Sequence, residues 1–441
     1  MLVTGLLFVL VSMTSSVASP EAVVPIAVPC VACRVCASRM LSRVLSLGDQ
    51  TVSSFAEQCG EAARGPLDLL VCERCKLVQL GHTFNRDLLY SWYGYRSGLN
   101  PMMLRALRDL ADYTTIVSSL RIGEWVCDIG SNDGTLLRSF PLGTRTVGID
   151  PVKNFDRALM ASGLDMFIPS YFSADALSGL PPMSAVTAAA VFYDFDDPIG
   201  ILRDIRRILR PNGVLVIQMN YLGAMVANNG FDNISHEHVT YYSLKTLLLA
   251  LGLGGFTAID VQLNDVNGGS FRIACTPACT PAPAARQVSG GQRRIRDMLR
   301  SEESLGERWT YAAFAERICA VRQQLRDLVW RILSAGRRIY VYGASTRGLV
   351  IMEYCGLDST VIAGAAERNP DKFGRYYGNT NIVCVPESDA RACADYFLVL
   401  PHHFLPEFMV REREWLQAGG KFLVPLPSPM IIGAEGCEQA V

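Results

Sequence analysis

The length, composition and charge of this 441-residue chain exclude several classes of protein. A chain this long exceeds one hydrophobic core, so about two or three domains are expected. Half of the residues are apolar, which excludes a predominantly disordered protein. The net charge of −1 gives no support to nucleic-acid binding, and fourteen cysteines are too sparse for a small disulfide scaffold.

The N-terminal segment, residues 1–29, is predicted to be disordered or leader-like. Residues 1–13 are apolar, but the first basic residue is Arg34, whereas a secretory signal begins with positive charge. Pro20 directly follows a sequence that imitates a cleavage site, and the apolar stretch is too short to span a bilayer. A signal or anchor is the alternative. Because no later run of 18 apolar residues exists, we expect a cytoplasmic protein without a membrane partner.

Residues 30–82 are predicted to form a zinc-binding domain. They contain two CxxC pairs, whose four candidate ligands are Cys33, Cys36, Cys72 and Cys75. Two thiolates at i and i+3 can hold one side of a tetrahedral ion, and a second pair closes the site. Four thiolates leave no open position, so the predicted zinc is structural. The alternatives are core cysteines or a single redox pair, with Cys30 or Cys59 able to replace a ligand.

Residues 85–275 alternate strand-like and helical patterns, which predicts an α/β domain. A buried strand over residues 124–130 ends in glycine, and a helix is predicted from residue 135. The acidic turn between them would repel a pyrophosphate but suits a cationic sulfonium. The next strand, residues 146–150, ends in a carboxylate placed for ribose hydroxyls. The candidate cofactor-binding residues are Asp128, Gly130, Asn132, Asp133, Gly134 and Asp150. An NAD-binding sheet is the alternative.

The segment Ser235-His236-Glu237-His238 holds two of the five histidines in the chain. A histidine beside a carboxylate suits general-base chemistry near neutral pH, so His238, Glu237 and His236 are the candidate catalytic residues. Adjacent helical residues do not share a face, and one histidine is expected to serve the site while the other packs. The alternative is a polar helix entry. Further on, Asn267-Gly268 predicts a hairpin turn or a substrate contact.

The C-terminal part is predicted as a linker over residues 276–292, a helical connection over residues 293–334 and a Rossmann-like domain over residues 335–428. In that domain a strand over residues 338–342 leads into the glycine-bounded turn 343–348 and then a helix. Backbone amides and polar side chains of this turn could hold phosphates. The alternative is a helix N-cap without a ligand.

Several motifs occur in a specific order: the two CxxC pairs, Tyr93-Gly94-Tyr95-Arg96-Ser97, Ile129-Gly130-Ser131-Asn132-Asp133-Gly134, Glu237-His238, Asn267-Gly268-Gly269-Ser270 and Tyr342-Gly343-Ala344. Together they resemble the sugar C-methyltransferases that act on nucleotide-linked 4-keto-deoxysugars, and the similarity covers residues 33–425. The resemblance implies an α/β fold: an N-terminal zinc domain, a class I methyltransferase core that binds S-adenosylmethionine, and a C-terminal Rossmann-like domain that binds the nucleotide sugar.

The same resemblance implies a mechanism. His238, with Glu237 beside it, would remove the proton next to the 4-keto group, and the enolate would attack the sulfonium methyl group. The implied substrate-binding residues are Tyr95, Asn267, Gly343, Ser345 and Arg347. The chain departs from the family at Ser235, often aromatic elsewhere, at residues 192–195, where many members carry a histidine, and at Arg347, commonly lysine. An O- or N-methyltransferase and a non-catalytic binding protein are the competing hypotheses, and the sequence does not predict an oligomeric state.

Overall fold

The computed structural model describes residues 26–52, 55–90, 93–278 and 288–438. Most of the predicted leader, residues 1–25, and residues 279–287 of the predicted linker lie outside these ranges. The N-terminal elements are β1 (Ala27–Pro29), β2 (Leu41–Thr51), β3 (Phe55–Ala56), β4 (Arg64–Cys72), β5 (Val78–Leu80), β6 (His82–Phe84) and α1 (Arg86–Tyr90). Strands β2, β4 and β5 form an antiparallel sheet, and the turns at its end carry the four predicted metal ligands.

The central elements are α2 (Pro101–Ser118), β7 (Trp125–Ile129), β8 (Arg145–Ile149), α3 (Arg157–Ala161), β9 (Met166–Ile168), β10 (Met183–Ala189), α4 (Pro198–Ile208), β11 (Leu209–Asn220), α5 (Leu222–Ala227), β12 (Thr240–Tyr241), α6 (Leu244–Leu253), β13 (Phe256–Asn264) and β14 (Ser270–Pro277). Their sheet has the order β13-β14-β11-β10-β7-β8-β9. Strands β7 to β11 are parallel, whereas β14 runs antiparallel to β11. This mixed sheet confirms the predicted class I methyltransferase fold.

The C-terminal elements are α7 (Gly291–Ser301), α8 (Arg308–Ser334), β15 (Ile339–Tyr342), α9 (Thr346–Cys355), β16 (Ala365–Glu367), β17 (Tyr376–Tyr377), β18 (Cys384–Pro386), α10 (Glu387–Arg391), β19 (Tyr396–Val399), α11 (Leu405–Arg411), α12 (Arg413–Gln417), β20 (Lys421–Val424), β21 (Met430–Gly433) and β22 (Gly436–Glu438). The sheet order is β18-β16-β15-β19-β20-β21-β22, parallel from β18 to β20. The parallel strands are almost entirely buried, as expected for a sheet between helical layers.

Strand pairing crosses between the three parts of the chain. The short strand β12, which follows the His-Glu-His segment, pairs with β5 of the N-terminal sheet. Strand β3 pairs with β17 of the C-terminal part. One cluster of buried apolar side chains extends through all three parts. The N-terminal and C-terminal units are therefore packed against the central sheet rather than tethered to it.

One predicted helix differs in the structure. The helix expected from residue 135 is a single 3-10 turn, Leu137–Ser139, because Pro141 forces Phe140 into an extended conformation. In the C-terminal part, α11 and α12 are separated at Glu412, whose carboxylate turns inward to accept hydrogen bonds from Tyr342 and Arg391. Within the described ranges, no helix is both long and apolar enough to cross a membrane.

Candidate active site and metal centre

The two CxxC turns come together as a four-sulfur cluster. The Sγ atoms of Cys33, Cys36, Cys72 and Cys75 all lie within 4.8 Å of one another, with the cross-turn pairs 33–75 and 36–72 at 3.5 Å. Zinc–sulfur bonds of about 2.3 Å would place tetrahedral ligands about 3.8 Å apart, so the cluster fits the ion. The alternative ligands lie elsewhere: Cys30 accepts a hydrogen bond from Gln79, and Cys59 is exposed.

Both turns have the same backbone conformation. The amide of Ala37 donates to the carbonyl of Cys33, and the amide of Lys76 donates to the carbonyl of Cys72. Ala37 and Lys76 each take a positive φ, of 56° and 67°. This left-handed residue after each pair is uncommon for non-glycine residues, and it turns the chain so that both thiols face the same point. The predicted structural site is thus preformed by the fold.

A cavity of about 340 Å³ lies where the three parts of the chain meet. Its walls include residues from each part: Phe55, Tyr90, Tyr93 and Tyr95 from the first, Asp128, Asp150, Tyr193, Asp194 and His238 from the second, and Ser345, Thr346, Arg347 and His403 from the third. Most members of this set are aromatic or titratable. This cavity is large enough for a small molecule, and it lies at the carboxyl ends of parallel strands, where ligands bind in such sheets.

One end of the cavity is acidic. Asp128 Oδ1 accepts a hydrogen bond from Thr187 Oγ1 at 2.6 Å. Burial raises the pKa of the Asp128 carboxyl to about 7. Asp150 follows the neighbouring strand and accepts hydrogen bonds from the amides of Val152 and Asn132, at 2.9 and 2.8 Å. Burial also raises the pKa of Asp150. Ser131 Oγ is buried here without a hydrogen-bond partner among the described residues. Such donors and acceptors fit a cofactor with hydroxyl groups and a cationic centre.

The glycine turn supplies only part of the predicted cofactor set. Gly130 (φ 68°) and Asn132 (φ 51°) line the cavity, but Asp133 and Gly134 do not. The prediction for those two residues is corrected because the Asp133 carboxylate is used within the fold. It accepts hydrogen bonds from the amides of Gly98 and Thr135, at 2.7 and 3.2 Å. Asp133 therefore fixes the preceding loop instead of facing the ligand.

His238 and Glu237 line the same cavity. The Nδ1 atom of His238 is 2.8 Å from the carbonyl oxygen of Asn233, so Nδ1 carries the proton and Nε2 keeps its lone pair. Burial lowers the pKa of His238 to about 4, which leaves the ring neutral at physiological pH. Burial also raises the pKa of Glu237 to about 7, partly opposed by a hydrogen bond from Thr346. A neutral imidazole and an ionisable carboxyl thus adjoin in one wall.

The prediction of a catalytic role for His236 is corrected. Its Nε2 lies 3.1 Å from the carbonyl oxygen of Gly65, and its ring packs edge-on against Phe84 with centroids 4.4 Å apart. Burial lowers the pKa of His236 to about 4, and the residue does not border the cavity. The chain turns between the two histidines, so His236 packs against the N-terminal unit while His238 serves the cavity.

The C-terminal wall is formed by the turn before α9. Ser345 caps that helix, because its Oγ accepts the amide of Gly348 at 3.0 Å. Arg347 donates to Asp232 Oδ2 at 2.6 Å and to the carbonyl of Asn267 at 2.8 Å. The predicted contact by Gly343 is corrected: this glycine lies behind the wall, where an added Cβ would be 2.8 Å from the Pro401 ring.

Two further predicted substrate contacts border the cavity. Asn267 takes a left-handed conformation (φ 54°) in the loop that joins the antiparallel strands β13 and β14, as the hairpin interpretation requires. Tyr95 lies at the rim with 41% of its surface exposed. Its carbonyl accepts a hydrogen bond from the side chain of Asn132 at 3.1 Å. The rim and the cofactor turn are therefore joined directly.

Three further residues line the cavity although no function was predicted for them from the sequence: Tyr90, Tyr193 and Asp194. The Tyr193 ring lies against the His238 ring, with centroids 4.3 Å apart. Asp194 follows it and borders the same cavity. One signal could have indicated these residues, since they come just after a parallel strand, β10, at the edge of the sheet where ligands bind. Tyr90 gave no such signal, because only the packing of α1 brings it to the cavity.

Three family models match successive parts of the chain: a zinc-binding domain over residues 33–90, a methyltransferase domain over residues 103–261 and a C-methyltransferase C-terminal domain over residues 265–427. Their order along the chain is the order of the three sheets described above.

Similar proteins include the C-methyltransferase NovU of Streptomyces niveus, which is 31% identical over 415 residues, covering 91% of this chain and 97% of NovU. A solved S-adenosylmethionine-dependent methyltransferase from Clostridium acetobutylicum overlays 40% of this chain and 92% of its own, with 10% identity and a TM-score of 0.31. The mitomycin 7-O-methyltransferase MmcR overlays 41% of this chain and 55% of its own, with 19% identity and a TM-score of 0.33.

Proposed function

The chain belongs to the family of S-adenosylmethionine-dependent C-methyltransferases with an N-terminal zinc-binding domain, and we propose that its acceptor is the carbon beside the keto group of a nucleotide-linked deoxysugar. The observation that carries this proposal is the position of His238. A neutral imidazole that keeps the lone pair of its Nε2 borders the cavity that the cofactor turn also lines. A C-methyltransferase needs such a base, because carbon becomes nucleophilic only after it loses a proton.

The residues around His238 support its assignment as the base. The hydrogen bond from Nδ1 to the Asn233 carbonyl fixes the tautomer, and the ring contact with Tyr193 fixes the orientation. Burial and the Arg347 guanidinium lower the pKa of His238, while the Asn233 carbonyl and the Asp232 carboxylate act in the opposite direction. The base is therefore held in one position and in its neutral, proton-accepting form.

Bound S-adenosylmethionine supplies the electrophilic methyl group. His238 Nε2 accepts the proton from the carbon next to the carbonyl, and the electron pair of that C–H bond forms the carbon–carbon double bond of an enolate. Asp150 and Asn132 hold the cofactor turn in place through the 2.8 Å hydrogen bond between them.

The nucleotide part of the proposed substrate is assigned to the C-terminal wall. The N-terminus of α9, a helix of ten residues, opens toward the cavity with Ser345 and Thr346. Helix N-termini favour phosphate groups through their free amides and dipole. Arg347 adds a guanidinium that Asp232 holds in place. A diphosphate at this wall would place the attached sugar toward His238, since Glu237 bonds to Thr346.

The test is exchange of the acidic proton in heavy water. The protein, loaded with S-adenosylhomocysteine, is incubated with nucleoside-diphosphate 4-keto-6-deoxyglucose in thymidine and uridine forms, and deuterium at the third carbon is followed by mass spectrometry. We expect exchange by the wild type and a loss of about 10²-fold or more in His238→Asn. The matched control is His236→Gln, whose amide can still donate to Gly65 and which we expect to exchange within about threefold of wild type.

Wild-type methyl transfer to a sugar without any exchange would contradict the proposal and favour an oxygen or nitrogen acceptor. Full exchange by the His238→Asn variant would instead support the proposed substrate and refute the assignment of His238 as the base.

A further inference from the structure

The turn after β10 places a second acidic side chain in the wall of the cavity that the proposed base borders. The 3-10 turn Phe192–Asp194 carries Tyr193, which contacts the His238 ring, and Asp194, which borders the same cavity. Asp194 also forms a hydrogen bond with Tyr90. Its Oδ1 is buried and has no hydrogen-bond partner among the described residues. A buried carboxyl oxygen without a partner in a cavity wall is costly to keep unless a ligand pairs with it.

The charged groups around Asp194 determine whether its carboxyl is protonated. The groups that act on it are Glu237, Asp196 and the Tyr90 hydroxyl; the two carboxylates repel a charge on Asp194, and the hydroxyl favours one. Burial is the largest cause, and it raises the pKa of Asp194 well above its usual range. The pKa of Glu237 is about 7 and that of His238 about 4. Burial and the neighbouring carboxylates thus both favour the neutral, protonated form of Asp194, which can donate a hydrogen bond.

We propose that Asp194 is a catalytic carboxylic acid that donates a hydrogen bond to the carbonyl oxygen of the substrate while His238 removes the neighbouring proton. This inference rests on the proposed function, since it needs a keto group on the acceptor. It adds a second reacting group to the site, in the turn that follows β10.

The electron count of the step is complete. The C–H pair becomes the carbon–carbon double bond, the carbonyl π pair moves to oxygen, and that oxygen is stabilised by the Asp194 proton. When the carbon bonds to the methyl group, the carbonyl double bond reforms, the sulfonium sulfur keeps the electron pair of the broken bond, and Asp194 retains its proton. The proton taken by His238 leaves to solvent afterwards. No oxidant or further reactant is required.

Two variants of similar size separate this role from others. Asp194→Asn keeps an acceptor for the Tyr90 hydroxyl and an N–H donor for the substrate oxygen. Asp194→Leu removes both. The control is Asp175→Asn, an exposed aspartate outside the cavity whose carboxylate pairs with Arg207. Each variant is measured for deuterium exchange and methyl transfer with thymidine-diphosphate 4-keto-6-deoxyglucose, and for binding of S-adenosylhomocysteine.

We expect Asp194→Leu to lose about 10²- to 10³-fold in the exchange rate and kcat, as when one oxyanion donor is removed. Asp194→Asn should keep kcat within about tenfold of wild type, with KM little changed, and all variants should still bind S-adenosylhomocysteine.

Three outcomes would overturn the role. Equal activity of the Leu variant and wild type would show that Asp194 does not act in catalysis. Equal and severe losses in the Asn and Leu variants, mainly in KM, would show that an ionised Asp194 binds a cationic substituent. Loss of cofactor binding by the Leu variant would show a structural role. A wild type without exchange would refute the proposed function instead, before any variant is compared.

Discussion

Replacing Glu237 by glutamine should change how stability depends on pH. Glu237 is 9% exposed, and burial raises the pKa of its carboxyl from 4.5 to about 7. Because the folded-state pKa lies above the unfolded one, the folded wild type holds the proton more tightly between pH 4.5 and 7. The wild type therefore loses stability as the pH rises through this window, whereas the Glu237→Gln variant has no such proton to lose.

The size of the effect follows from the two pKa values. At about 1.36 kcal/mol per pKa unit, a rise from 4.5 to about 7 corresponds to at most about 3 kcal/mol, of which about 2 to 3 kcal/mol falls between pH 5 and 8. Glutamine can still accept the hydrogen bond from Thr346, so the neutral state is closely matched.

The assay is urea unfolding of both proteins at pH 5, 6, 7 and 8, with Glu316→Gln, an exposed glutamate of α8, as the control. We expect the difference between Glu237→Gln and wild type to move in favour of glutamine as the pH rises, while the control stays parallel to wild type. Parallel curves for Glu237→Gln and wild type would show that Glu237 does not titrate as a buried carboxyl with a raised pKa.

Three other predictions follow from the described contacts. A strong chelator should remove one zinc per chain and lower the melting temperature. The Cys72→Ser variant should bind no zinc, whereas the Cys59→Ser variant should keep it, because Cys59 is exposed and lies outside the cluster. Metal analysis that finds no zinc in the wild type would contradict this prediction. Arg347→Met should lower the free energy of unfolding by about 3 kcal/mol, because Asp232, which is 1% exposed, loses its charged partner. Asp232→Asn in that background should recover part of this loss, as measured by urea unfolding. Additive losses in the double variant would refute the pairing. Asp150→Ala should weaken S-adenosylhomocysteine binding about tenfold in calorimetry, and unchanged affinity would place the cofactor elsewhere.

Local patterns in the sequence predicted much of the fold. The CxxC spacing indicated the metal site because both ligands of each pair come from a single turn. The buried apolar runs indicated the strands of both parallel sheets, and the glycine at the end of β7 indicated the cofactor turn. These features depend on residues close together in the chain, and hydrophobic period and turn chemistry record them directly.

Only the tertiary structure decided which polar side chains meet. His236 and His238 are equivalent by spacing, yet pairing of β12 with the N-terminal sheet follows a turn that directs one ring to Gly65 and the other to the cavity. Arg347 finds Asp232 across 115 positions. Tyr90 of α1 and Asp194 after β10 meet in the cavity wall although they are far apart in the chain. A sequence records which residues prefer burial, but the partner of a buried charge is set by the packing of distant elements, since any of several remote groups could satisfy it equally well.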